Sequence, residues 1–201
     1  MHPELLDKLK DHPDLISSDT DQQYVATEIS WQSYEALLAD LGNDFPGLRV
    51  HYLEGMLEIT MPGRKHEVIK DNIGGLLRAY FEETRTRFYG LGSTTFRAEA
   101  KKRGAEPDIS FCIRSDKEFP DIAIEVVQTS GGISKLSIYQ GLGVPEVWFW
   151  QHDRFTVYFL EAEYKQRDRS HFLPNLDLDL LASYVQSTEP LDAVLAFRAA
   201  I

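Results

Sequence analysis

The chain has one cysteine, Cys112, among its 201 residues. That excludes an internal disulfide and any cysteine-based zinc cluster. Its place in the apolar run "ISFCI" predicts a buried structural thiol rather than a nucleophile. No apolar run approaches the roughly 20 residues of a membrane-spanning helix. The opening "MHPELLDKLKDHPDL" lacks the basic start, apolar block and small-residue cleavage site of a secretory signal. A cytoplasmic protein without membrane attachment is the expectation. Positive charge is also scarce. The 21 basic and 32 acidic side chains leave a net charge of -11, which excludes coating of nucleic acid by bulk electrostatics but leaves room for a locally basic site. Internal repeats, low-complexity tracts and long linkers are missing too, so one domain over residues 1–201 is the economical reading.

What is present fits a globular domain able to bury a sizeable core, with 43% hydrophobic and 26% charged residues. "SWQSYEALLADLG" reads as a short helix with Ser30 as N-cap and Gly42 just past its end. "LRVHYLEGMLEITMP" alternates around Glu54 and Gly55 as a β-hairpin, which Pro62 and Gly63 stop. In "KHEVIKDNIGGLLRAYFEETR", a 100° step gathers Ile69, Ile73, Leu76, Leu77, Tyr80 and Phe81 on one helical face, with His66 inside that face and Glu67 at its edge. Strand-like runs follow at "FYGLGSTTF", "EPDISFCI", "PDIAIEVV", "EVWFWQ" and "FTVYFLEAEY", with a helix between the third and fourth and helical segments near 176–186 and 190–200. Because "IAIEVV" and "VWFW" are apolar on both faces, they belong in the middle of a mixed sheet covered by the long helix and by the helix after Ser130. The expected fold is α/β, with a hairpin at its start.

Glu125 stands out in "DIAIEVV", since burying an ionised carboxylate without a partner costs several kcal/mol or more. Period-two alternation in "EPDISFCI" sets Ile109, Phe111 and Ile113 on one face and Asp108, Ser110 and Cys112 on the other. If the two strands are antiparallel neighbours, Asp108 at the start of one meets Glu125 near the end of the other. Such a pair suits a hard divalent cation such as Mg²⁺ or Mn²⁺, which takes carboxylate oxygens and keeps waters. A carboxylate dyad for acid–base work and a structural pair sharing a proton are the alternatives. Lys135 projects between Ile138, Tyr139 and Leu142, toward the sheet, so its ammonium is expected back at the same rim. Tyr139 and Trp148 are expected in the core rather than stacked on bases. "RAEAKKR" concentrates Arg97, Lys101, Lys102 and Arg103 against Glu99 and reads either as a solvated turn or as a contact for a nucleic acid backbone.

The order of His66-Glu67 on a helix, "GSTTFR", "EPDISF" and "DIAIEVVQTSGGISKLSIYQGLGVPEVWFW" resembles the Uma-two restriction endonuclease family of the PD-(D/E)XK nuclease superfamily, from about Glu54 through Tyr158. The resemblance implies a restriction-endonuclease-like mixed sheet flanked by helices on both faces, with an N-terminal hairpin extension. It implies a metal-dependent DNA endonuclease in which Asp108, Glu125 and the Val126 carbonyl hold Mg²⁺ or Mn²⁺. The superfamily's lysine normally stands two residues after the glutamate, a position held here by Val127, and the resemblance assigns that role to Lys135 on the following helix. His66 and Glu67 match the family's helix motif, Glu67 as a further acidic ligand or orienting group. Arg97, Lys101, Lys102 and Arg103 would position DNA. A homodimer and no organic cofactor are expected on the same ground. The alternative is a non-cleaving DNA-binding or protein-interaction module that retains the fold.

Overall fold

A computed structural model describes residues 19–42, 45, 47–128 and 132–201. The opening segment through residue 18, and Thr129, Ser130 and Gly131 of the expected turn, lie outside them. The described residues form an α/β protein with two sheets, and the chain divides into two compact units.

The first unit comprises the chain up to Glu67, Thr95–Glu106 and Gln128–Leu142. It contains β1 (Gln22–Ala26), helix α1 (Trp31–Leu41), β2 (Arg49–Leu53) and β3 (Met56–Met61). The later segments add β5 (Phe96–Ala98), β6 (Arg103–Ala105) and helix α3 (Lys135–Leu142). Its five strands form one antiparallel sheet in the order β1-β3-β2-β6-β5. Helix α1 starts where Ser30 Oγ accepts from the Ser33 N–H at 3.0 Å and ends where the Gly42 N–H donates to the Leu38 carbonyl at 3.0 Å. β2 and β3 are joined by the two residues Glu54 and Gly55, both with positive φ, the geometry that matches the twist of a hairpin. Trp31, Tyr34 and Leu37 pack with Val50, Tyr52, Leu57 and Ile59 into this unit's core. Tyr34 lies so close to β6 that a Cβ on Gly104 would fall 2.1 Å from its hydroxyl, so only glycine fits there. Helix α3 packs on β2, β5 and β6.

The second unit comprises Val68–Thr94, Pro107–Val127 and Gly143–Ile201. Helix α2 (Arg64–Glu83) enters it after its first turn. Strands β4 (Phe88–Gly90), β7 (Ile109–Ile113), β8 (Ile122–Val126), β9 (Glu146–Gln151), β10 (Arg154–Leu160) and β11 (Tyr164–Arg167) form its sheet, and helices α4 (Leu178–Val185) and α5 (Pro190–Ala200) close the chain. The strand order is β11-β10-β9-β8-β7-β4; β8 and β9 are parallel and the other neighbours antiparallel. All six apolar positions expected on one face of α2 join one core. With them pack Ile109, Phe111, Ile124, Trp148 and Trp150 of the sheet and Leu181, Val185 and Phe197 of α4 and α5. Trp148 is fully buried, as is Tyr139 on α3 of the first unit, both as expected of core residues. Cys112 is buried as well, and burial pushes its thiol up.

"FYGLGSTTF" divides: its first half is β4 of the second sheet and its end opens β5 of the first. The basic stretch runs from the end of β5 through a turn of 3₁₀-helix at Glu99–Lys101 to Arg103, the first residue of β6. Lys102 then takes a left-handed φ of 51° to reverse the chain, so the stretch forms the turn of the β5–β6 hairpin.

Candidate active site

In the second unit, β7 and β8 are antiparallel neighbours with Ile109 opposite Ile124. Continuing that register by one residue sets Asp108 opposite Glu125. Opposed residues share a sheet face, with Cβ atoms about 4.5–5.5 Å apart. The face is the one that Ser110 and Cys112 share, since Ile109, Phe111, Ile124 and Val126 all point into the core. Both carboxylates are 5% exposed. The Val126 N–H donates to Asp108 Oδ2 at 2.8 Å, which orients Asp108 from the strand that carries Glu125. The Ser93 hydroxyl donates to the Asp108 carbonyl at 3.4 Å and fixes the adjoining backbone.

This donor set consists of oxygens only. Among the described residues no group of three His, Cys, Asp or Glu side chains is placed to hold a metal ion. Two carboxylates fit a hard cation that fills its shell with water, and they do not make an all-protein cage.

Lys135 lies in the first unit, at the first position of α3. Its ammonium is 3.0 Å from Glu58 Oε1 and 2.8 Å from His51 Nδ1. Glu58 Oε2 accepts from the Gln23 side-chain amide at 2.7 Å and from the Ile133 N–H at 2.9 Å. His51 and Glu58 are each 1% exposed and directly opposed across the β2–β3 hairpin. Burial alone would push the Glu58 carboxyl up. The Lys135 ammonium, His51 and the hydrogen bonds from Lys135 and Ile133 outweigh it and hold the group below the ordinary carboxylate range. The lysine therefore points inward, toward His51 and Glu58 of the β2–β3 hairpin.

The family model described as "Uma2: Putative restriction endonuclease" matches residues 31–189. The chain belongs to the Uma2 family. No curated protein matches it. The Uma2 match spans both the hairpin that carries Glu58 and the strands that carry Asp108 and Glu125.

The other candidate residues fall into two kinds of setting in this Uma2 protein, all in the first unit. His66 is buried, with Nδ1 2.9 Å from Asp21 Oδ2, while Asp21 Oδ1 accepts from the Gly63 N–H at 2.9 Å. Glu67 Oε1 stands 3.8 Å from Arg49 Nη2. In the basic stretch, Arg97 is paired with Glu35 at 3.1 Å and Lys102 with Glu99 at 3.8 Å, and Lys102 also lies over the Trp31 ring. Arg103 is a cross-link, donating to Glu54 at 2.9 Å and to the carbonyls of Lys101, Lys102 and Ser137. Three of the four cations thus already face carboxylates.

Sequence reasoning did not single out His51 and Glu58. Alternation in "MLEITM" assigns Glu58 to the polar face, yet β2 is buried along its whole length, so that face is interior too. The signal was available in the register: a two-residue turn at Glu54-Gly55 makes 51 and 58 cross-strand partners, and His opposite Glu is an attractive pair.

Proposed function

We propose that this Uma2 protein is a divalent-metal-dependent DNA endonuclease that hydrolyses phosphodiester bonds at the Asp108–Glu125 pair. The observation that carries the reading is the register that opposes two buried carboxylates, one of them oriented by the neighbouring strand. Asp108, Glu125 and the Val126 carbonyl would hold Mg²⁺ or Mn²⁺. When bound, the ion would polarise the scissile phosphate and lower the pKa of a coordinated water. The Val126 N–H, donating to Asp108 Oδ2, fixes the orientation of this carboxylate. Lys135, assigned by its place in the family's motif order, would place the attacking water or offset negative charge developing on the phosphate. In the hydrolysis, the water oxygen bonds to phosphorus, one P–O ester bond breaks, and a proton reaches the leaving oxygen. His66 and Glu67 take supporting roles at the start of α2. The protein acts as a homodimer in this reading, so that two strands meet two sites.

The test is incubation of supercoiled plasmid and of single-stranded DNA with the full chain in Mg²⁺, in Mn²⁺ and in EDTA. Nicking is expected only with metal, and is expected to vanish in Asp108→Ala and Glu125→Ala. Cutting that survives both substitutions refutes the site. A second reading, a non-cleaving module on the nuclease fold, is favoured by Val127 where the superfamily lysine would stand. Tight DNA binding by the wild type without nicking in either metal would establish it.

A further inference from the structure

Within the second unit, a groove of about 380 Å³ runs between α2 and the edge formed by β4 and β7, and its lining includes Lys70, Gly74, Gly75, Arg78, Gly90 and Asp108. Lys70, Gly74 and Arg78 follow one another at four-residue steps and so share a ridge of the helix. Two consecutive glycines in a helix interior cost about 1 kcal/mol each relative to alanine. Among the described residues nothing requires them by packing, because a Cβ at Gly74 or Gly75 would meet no atom within 4 Å. They leave the helix backbone bare along the groove. Opposite, the Ser110 hydroxyl donates to the Gly92 carbonyl at 2.9 Å and the Leu91 N–H donates to the Ser110 carbonyl at 3.0 Å, which fastens the far wall to β7. Arg78 reaches toward that wall: its Nη2 lies 3.4 Å from where a Cβ of Gly90 would stand.

We infer that this groove seats the sugar–phosphate backbone of a nucleic acid strand, with Arg78 as its phosphate contact, and leads that strand to Asp108. The inference rests on the nuclease reading for what happens at Asp108, but not for the binding itself. The lining favours a backbone over bases. Phe111 is 1% exposed and offers no ring for stacking, so recognition falls to cations and bare backbone. Lys70 and Arg78 are eight residues apart, about 12 Å along the helix, far enough to face different phosphates of one strand. The groove's two carboxylates, Asp71 and Asp108, balance the two cations. Neutralising Asp108, by a metal ion or by substitution, leaves the groove positive in a chain that is otherwise strongly acidic.

The experiment measures fluorescence anisotropy of a labelled duplex and of the matching single strand across a salt series, with the full chain carrying Asp108→Asn. In that background the carboxylate charge is gone and no cleavage is expected. Adding Arg78→Glu is expected to weaken binding at least about tenfold and to lower the salt slope by about one to two. Adding Gly75→Leu changes no charge and favours the helix, so it is expected to raise thermal stability while weakening binding about tenfold by filling the groove. Wild-type-like affinity in both variants, or no binding of either DNA by Asp108→Asn itself, overturns the groove. Plasmid cleavage by the otherwise wild-type chain separates the two ideas. If Arg78→Glu and Gly75→Leu weaken binding but the wild type never cuts, the groove stands and the nuclease reading falls. If the wild type cuts and binding ignores both substitutions, the reverse holds.

Discussion

Lys135 Nζ lies 3.0 Å from Glu58 Oε1, joining the start of a helix to the middle of a buried hairpin strand. Glu58 is also held through its other oxygen by Gln23 and by the Ile133 backbone N–H. Glu58→Gln can keep an oxygen toward those two donors, but its amide NH₂ then faces the ammonium, leaving a donor against a donor. Breaking a buried ion pair costs about 3–5 kcal/mol. With the Lys135 side chain 19% exposed, about 2 kcal/mol is the expected loss. Urea unfolding of Glu58→Gln against wild type measures it, and an unchanged midpoint would show that the pair does not stabilise the fold.

Asp108 does two jobs that substitution can separate. Asparagine keeps an oxygen to accept from the Val126 N–H, whereas alanine leaves that buried donor unsatisfied at a cost of about 1–3 kcal/mol. Asp108→Asn is therefore expected to unfold at a urea midpoint near wild type, and Asp108→Ala at a lower one. Both are expected to lose at least about 100-fold in plasmid nicking rate, as removal of an electrostatic group at a reacting centre commonly does. Asp108→Asn that nicks like wild type would remove the carboxylate from the chemistry.

Arg103, in a stretch that reads in the sequence either as a solvated turn or as a contact for a nucleic acid backbone, cross-links several segments in the fold. Its guanidinium spans Glu54, the Lys101, Lys102 and Ser137 carbonyls, and its stem packs where a Cβ on Gly141 would come within 2.5 Å. Arg103→Lys has no planar fork to serve these acceptors, so both it and Arg103→Ala are expected to lower stability, by about 1–3 kcal/mol for alanine. Gly141→Ala is expected to do the same by displacing the stem. Thermal unfolding checks all three. A variant with wild-type stability but weakened DNA binding would show that Arg103 serves DNA rather than the fold.

Much of this was legible in the sequence because it rests on local rules. The Ser30 cap, the Glu54-Gly55 turn and the α2 stripe are set by spacing and by residues that tolerate few alternatives. The Asp108–Glu125 pairing followed from alternation once the two strands were neighbours. What was hidden depends on burial from outside the segment. "QYVA" and "RGA" are too short and polar to announce the strands β1 and β6, which are held by partners distant in sequence. Alternation puts Glu58 of β3 on a polar face, but that face is shared with β2, which is buried along its whole length, so Glu58 is interior too.

Glu146 gives the pH dependence its second sign. It is fully buried, and its oxygens accept from the Trp148 indole at 2.6 Å, the Ser170 hydroxyl at 2.6 Å and the His171 N–H at 2.7 Å. Burial pushes the carboxyl above its ordinary 4.5, and the three hydrogen bonds and His171 offset only part of that. The folded state then holds the proton more tightly than the unfolded chain, so this group's contribution is fully present below pH 4.5 and falls as pH rises through the raised value. Glu58 has the opposite sign: its contribution is present above 4.5 and is lost as pH falls through its depressed value. Stability measured by urea from pH 3 to 8 is thus expected to lose its acid-side decline partly in Glu58→Gln. Glu146→Gln is expected to flatten the decline above 4.5 instead, at an overall cost of about 1–3 kcal/mol, because its NH₂ must face one of three donors. If the two substitutions change the same limb of the profile, the assignment of opposite signs is wrong.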